Sequence, residues 1–501
     1  MKKKIALLSM VGLFFTLSCN DDFLTEGNPT AASVGNSFAT PAEADQAIVA
    51  IYAALQGNDM IGREYWWLYD LLSDELNSGG AILEARRSII LDYKFDASNE
   101  LIATVWGGIY RVINFSNLAI NTLPNKTEES GGGLLEQSLV DRLTAEARFF
   151  RGWMYLDLVT LWGNVPFTKK PLSTIEGIPK AESVDVIYDQ IYADLDSAIQ
   201  FLPEEDPTGR ATQFAAQAMK ARALLYQGRY ADAREPLEAI INSGNYRLVD
   251  DYRDNFREEN ELNDESIFEL QYSSAAGQSQ GWSPDGSGLK EVTIRGQEYS
   301  PVDWHNTIPS LAYIDAHESG DPRFDYNTLE YGETYNNDEL TFTAASIKQG
   351  TTSRTIHWYK YTNLYKKPIE NLWSGINMRI LRYADVLLMM AEVELEAGDV
   401  TQALRYLNQV RARPSVNLPP VTTTNPDAVF NAIVRERQVE LVGEQVRYRD
   451  VRRWLNNGKL TENPLIAAKS VDGNTPARFT LLPIPQEEID NNPALTQADQ
   501  N

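Results

Sequence analysis

The chain has 501 residues, with 45 Lys and Arg against 70 Asp and Glu, for a formal charge of −25. So acidic a surface repels phosphate backbones and anionic lipid, which argues against nucleic acid as a partner and favours a neutral ligand. A single cysteine allows no internal disulfide, so the core alone holds the fold, and the length calls for two or three lobes or a solenoid.

Residues 1–18 read as an export signal. Lys2, Lys3 and Lys4 precede an apolar stretch from Ile5 to Leu17, which falls short of the roughly 20 residues a bilayer span needs. Ser18 stands directly before Cys19, the arrangement of a bacterial lipoprotein signal, in which the cysteine is lipidated and becomes the first mature residue. Thr16 departs from the leucine usual three places before it.

The mature chain is mainly α. Amphipathic helices are predicted over 41–56, 183–202, 211–227 and 428–456. Leu139, Leu143, Ala147, Phe150, Met154, Leu158 and Leu161 form one stripe at helical spacing, which stops at Gly163-Asn164-Val165-Pro166. Another stripe runs Ile380, Ala384, Leu387, Ala391, Leu395 and ends at Gly398. Strand-like alternation is sparse, with Ser266 to Tyr272 and Thr341 to Ile347 as candidates. Ala221, Gly228, Tyr230, Ala233, Leu237 and Ile240 recur as Ala391, Gly398, Val400, Ala403, Leu407 and Val410 at the same offsets. These are the packing positions of a tetratricopeptide (TPR) helix hairpin, a unit that stacks into a solenoid.

Two stretches break this pattern. Residues 57–106 are irregular and carry Tyr65-Trp66-Trp67. Residues 273–374 are rich in Gly, Ser, Asn, Thr and aromatics, and a loop-rich insertion of that length is usually functional. The expected organisation is a signal peptide at 1–18 and one domain at 19–501. Its helical scaffold covers about 40–265 and 375–460, and its ligand region about 266–374 plus 57–106.

Several blocks then occur in order. They are Asp22-Phe23-Leu24, Ala147-Arg148-Phe149-Phe150-Arg151 with Tyr155-Leu156-Asp157-Leu158, and Leu381-Arg382-Tyr383-Ala384-Asp385-Val386-Leu387-Leu388 with Ala391-Glu392. Arg435-Glu436-Arg437-Gln438-Val439-Glu440-Leu441 follows with Glu444 and Arg447, then Asp450-Val451-Arg452-Arg453-Trp454. Leu482-Pro483-Ile484-Pro485 and Asn492-Pro493-Ala494-Leu495-Thr496-Gln497 close the series. In these the chain resembles the SusD/RagB family of surface lipoproteins from Bacteroidetes. It departs at Gln445, where the family commonly has Gly, and in a tail cut short after Gln497. The acidic run Asn20-Asp21-Asp22 behind Cys19 resembles the signal for the outer face of the outer membrane. The resemblance implies a TPR-rich helical scaffold that forms a lid over a SusC-like TonB-dependent transporter. It also implies capture of an oligosaccharide, or in some members a peptide, and no catalysis.

The residues themselves offer little for catalysis. Arg437, Glu440, Glu444, Arg447, Asp450 and Arg453 lie at three-and-four spacing. They read as an alternating-sign ladder along one helix rather than a hydrolytic carboxylate pair, which would not want arginines beside its acid. His305, His317 and His357 form no metal motif, and no cofactor or metal is expected. Aromatics carry the better signal, because a sugar's C–H face stacks on a flat ring while polar neighbours bond its hydroxyls. Trp282 and Trp304, both in turn-like contexts, are the first candidates for glycan binding, followed by Trp67, Tyr299 and Trp358. Trp66 and Trp373 lie in the same loop-rich stretches, and Asp74 and Arg379 are weaker polar candidates. Trp153, Trp162 and Trp454 are expected in the core.

Overall fold

A computed structural model describes residues 38–79, 83–131, 133–172, 177–276, 292–343, 347–349, 352–372, 374–469 and 481–496. Cys19, Trp282 and Trp373 lie outside them.

Helices dominate, as the periodicity demands. Those used below are α1 (Pro41–Leu55), α2 (Glu64–Leu72), α3 (Ala85–Leu91), α4 (Glu100–Thr122), α5 (Gln137–Trp162), α6 (Val184–Phe201), α7 (Gln213–Tyr226), α8 (Tyr230–Ser243), α9 (Arg295–Tyr299), α10 (Tyr383–Glu396), α11 (Val400–Arg411), α12 (Pro426–Glu440) and α13 (Arg447–Asn456). The long helix α5 packs against both α4 and α6. Gly152 allows that approach, since a Cβ there would stand 3.3 Å from Leu195 Cγ. Trp153, Trp162 and Trp454 are all buried in the core.

The repeated hairpins are α7–α8 and α10–α11. Gly228 and Gly398 end the first helix of each with φ of +68° and +84°, a conformation that costs glycine no steric penalty. Ala221 and Ala233, like Ala391 and Ala403, are fully buried where the two helices meet. These are the TPR-like units of the scaffold.

Three sequence expectations need correction. Residues 428–456 form two helices, not one: the chain turns between α12 and α13, with Gly443 at φ +69° and Gln445 at +58°. The charged residues there are therefore not a ladder along one helix but part of a buried lattice that reaches other elements. Arg437 meets Asp385 and Asp450, Glu440 meets Arg382 and Arg413, and Arg453 meets Glu392. Ile380 belongs to a strand before α10. Of Thr341 to Ile347, Thr341 and Ile347 are in two different strands and Phe342 and Thr343 are in none, while residues 344–346 lie outside the described residues.

The strands used below are β1 (Leu76–Ser78), β2 (Ser266–Leu270), β3 (Thr307–Pro309), β4 (Thr328–Glu330), β5 (Ile356–Trp358) and β6 (Met378–Arg382). They pair antiparallel as β1 with β3, β4 with β5 and β2 with β6. The pair β2–β6 joins the end of the first helical block to the start of α10. The other two pairs carry the irregular face.

Candidate ligand-binding face

Two chain segments far apart in sequence are stitched together at this face. Strand β1 runs against β3 with Leu76 opposite Pro309 and Ser78 opposite Thr307. The ladder continues one step further, because the Gly79 amide donates to the Asn306 carbonyl at 2.8 Å. Only glycine fits at 79: a Cβ there would lie 1.8 Å from the His305 carbonyl oxygen. His305 itself holds φ +35°, inside the sparsely populated left-handed region.

The turn carrying Trp304 follows helix α9 and is closed by its own backbone. The Trp304 amide donates to the Gln297 carbonyl at 3.1 Å, His305 to Ser300 at 3.1 Å, and Asn306 to Glu298 at 3.0 Å. Trp304 is half-buried. The His305 ring stands 6.4 Å from that of His357, which meets Phe342 edge-on at 5.2 Å. Burial pushes the His357 imidazole down to about 4, so it is neutral at physiological pH.

Beneath the turn lies an aromatic and ionic layer. Trp66 and Trp67 stack at 5.2 Å and both meet Tyr299 edge-on, at 5.2 and 5.0 Å. Arg87 covers the Trp67 ring at 4.3 Å, and Arg295 lies over Tyr361 at 4.5 Å. Tyr299 donates its hydroxyl to Asp70 at 2.9 Å, which also accepts from Arg295 at 2.8 Å. Around this layer Arg63 bridges Glu64, Glu84 and Glu298, while Arg86 and Arg87 bond Glu64. Burial acts to raise the Glu84 carboxyl, but Arg87, Arg86 and Arg63 overcome it and hold it at about 2. Three arginines thus meet three glutamates, and the layer is charge-balanced.

The sequence candidates separate clearly. Trp66 and Trp67 sit on α2, not on a loop, with 0 % exposure. A ring with no exposed face has none to offer a sugar in this arrangement; these two support the face from below. The nine residues of α2 are buried all round, so no polar periodicity marks the helix in the sequence. Tyr299 and Trp358 are also buried, and both line a cavity of about 20 Å³ with Asp70, Glu75, Lys360 and Tyr361. Asp74 takes a bidentate pair from Arg447 at 2.8 Å, and Arg379 pairs with Glu269 at 2.8 Å. Both are engaged within the fold. Trp304 alone of the described candidates reaches the surface, and Trp282 is not described.

Residues that sequence reading did not single out hold the face in place. Glu298, Asn306 and Gly79 are ordinary residues in their local context, and only their contacts across the chain reveal them. A separate open cleft of about 310 Å³ lies between Trp106, Tyr110, Pro166, Leu172 and Ile178. Its polar groups are spent internally: Arg111 on Asp59, Asn114 on the Leu172 amide and Asn492 on the Ile178 carbonyl.

Comparison with known proteins agrees over the whole length. Residues 244–500 match the family described as "SusD family", and residues 23–225 match one described as "Starch-binding associating with outer membrane". A SusD-like protein P2 of Formosa agariphila is 27% identical over 518 residues, covering 98% of each chain. Surface glycan-binding protein A from Bacteroides uniformis superposes with a TM-score of 0.74 at 25% identity, covering 92% of this chain and 100% of that one. A SusD superfamily protein from Bacteroides vulgatus gives 0.76 at 24% identity over 91% and 98% of the two chains.

Proposed function

The chain belongs to the SusD family, and from that membership we propose that it is a surface lipoprotein that captures a neutral glycan and delivers it to a SusC-like TonB-dependent transporter. The observation that carries the glycan reading is the turn at Trp304, which presents a half-buried indole above a charge-balanced layer. A large flat ring accepts the C–H face of a pyranose, and the absence of excess charge beneath it suits a neutral sugar over a polyanion. A relative of the same fold, from Bacteroides uniformis, is itself a surface glycan-binding protein.

Binding, not hydrolysis, fits the carboxylates of this chain. Glu440, Glu444, Asp450 and Asp385 are each committed to arginine or lysine partners inside the scaffold. A general acid needs a raised pKa and access to substrate, and burial of the Asp385 carboxyl is outweighed by Arg437 and Arg222, which hold it at about 2.

The lipid on Cys19 keeps the protein beside its transporter at the outer membrane. Tethering raises effective concentration, so modest glycan affinity suffices for capture and transfer. The test is affinity electrophoresis of a soluble form lacking residues 1–19 in gels containing laminarin, soluble starch or galactomannan. Retardation in at least one gel is expected. Unchanged mobility in all of them, with binding to peptides instead, overturns the glycan assignment.

A further inference from the structure

We infer that Glu298 is the positioning residue of the binding face: its carboxylate clamps both ends of the Trp304 turn and so sets the angle at which the indole meets a sugar. This rests on the glycan reading above.

The geometry is a buckle. Glu298 is fully buried near the end of α9, directly before the loop. Its Oε1 accepts from Arg63 Nε at 2.6 Å, and its Oε2 accepts from the Asn306 side-chain amide. Arg87 Nη1 stands 3.5 Å from the same Oε2. The Glu298 carbonyl oxygen also accepts the Asn306 backbone amide at 3.0 Å. One residue before the loop therefore grips the residue after it through both main chain and side chain. Between them lie Tyr299 to His305, with Trp304 two residues before Asn306 and its amide bonded to the Gln297 carbonyl.

Arg63 transmits the position of this buckle to the rest of the face. It precedes α2 and also holds Glu64 and Glu84. Glu84 stands directly before α3, and Gly79 lies against His305. Through Arg63, the start of α2, the start of α3 and the Trp304 turn are thus fixed to one carboxylate. Charge-assisted hydrogen bonds of this kind combine strength with geometric specificity, and a functional ring must be held to within roughly half an ångström to keep its affinity. Asp303 adds a second tie, accepting from the Glu370 amide at 2.9 Å. That tie holds the tip but not its base.

The Glu298→Gln change keeps the shape and removes the charge, leaving an amide that cannot accept from Arg63 and Asn306 with both atoms. The test is a double-mutant cycle on Glu298→Gln and Trp304→Ala, with affinity for laminarin measured by titration calorimetry, or for soluble starch if laminarin is not bound. On an intact fold, judged by far-UV circular dichroism, Glu298→Gln is expected to weaken binding about tenfold. In the Trp304→Ala background it is expected to weaken binding no further, because the ring it positions is gone. An equal fractional loss in both backgrounds overturns the inference, as does no loss in the first. A wild-type chain that binds, with Trp304→Ala unimpaired, refutes the site instead. Independently of any glycan, the 19F resonance of 5-fluorotryptophan at position 304 is expected to shift or broaden in Glu298→Gln. Loss of the bulk fold in that variant is met by Asn306→Ala, which cuts one arm of the buckle only and must move the same resonance. An unmoved resonance in both variants overturns the inference.

Discussion

Arg449 forms an ion pair with Asp157 at 2.8 Å in the centre of the scaffold, and Tyr65 donates its hydroxyl to the other carboxylate oxygen at 2.7 Å. The two residues come from separate sequence blocks, one on α5 and one on α13. Their contact ties the amino-terminal helices to the carboxy-terminal ones and places α2, which carries Tyr65, between them.

Removing one partner leaves the other buried without its counter-charge. Arg449→Met is therefore expected to cost about 3–5 kcal/mol of stability, the usual range for a broken buried pair. Urea unfolding followed by circular dichroism measures it. A loss under about 1 kcal/mol would show that the pair is not what joins the two halves.

Gly79 is the tightest point of the face. Gly79→Ala forces the added carbon away from the His305 carbonyl, and the yielding element is the Trp304 turn. Glycan affinity should fall at least fivefold in titration calorimetry at a temperature where the variant is fully folded, and the unfolding midpoint should fall as well, because the clash is with backbone. Wild-type affinity in this variant would mean that the two segments do not form one surface.

The pH dependence of stability should carry the signature of Lys360. Burial pushes its ammonium down to about 8, against the opposing pull of Glu444. The unfolded chain keeps this proton up to the ordinary lysine range, so between pH 8 and about 10 it binds more protons than the folded chain. Stability from this group therefore rises with pH there, by about 2 kcal/mol between pH 8 and 9.5. Relative to wild type, Lys360→Met should lose that rise. Parallel curves for the two proteins from pH 7 to 9.5 would contradict the burial-driven shift.

Trp67 distinguishes a supporting ring from a contacting one. A fully buried indole truncated to alanine costs about 3–5 kcal/mol, so Trp67→Ala should lower the unfolding free energy by that amount. A variant of near wild-type stability whose only defect is glycan affinity would instead make Trp67 part of the contact surface.

Much of the scaffold was legible in the sequence, for reasons visible in single residues. The Leu139-to-Leu161 stripe and the paired Gly228 and Gly398 report helix faces and helix ends, which are local properties. The ordered blocks named the family, yet the purpose of their charges was not legible. Arg382, Glu440 and Arg413 form a buried lattice only once β6, α12 and the segment after α11 are brought together. The break between α12 and α13 was hidden because Gln445 occupies a left-handed position where the family commonly has glycine. There its amide bonds the Gly443 carbonyl at 2.8 Å.

The face was read less well. Loop-rich surroundings mark a tryptophan as a contact residue in the sequence, but its burial depends on what packs against it from elsewhere. Trp66 and Trp67 are covered by Tyr299, more than 230 residues away, and the Trp67 ring also by Arg87. Trp304 kept part of its surface because the turn 300–306 is closed on itself.

The central claim is that Trp304 is a sugar-stacking residue on a glycan-binding lipoprotein. The most direct test compares wild type and Trp304→Ala, both lacking residues 1–19, in affinity gels containing the polysaccharide that retards the wild type most. Loss of a stacking ring worth about 1.4 kcal/mol corresponds to a tenfold weaker association, so the variant should run close to its mobility in a gel without polysaccharide. Retardation equal to wild type would contradict the account.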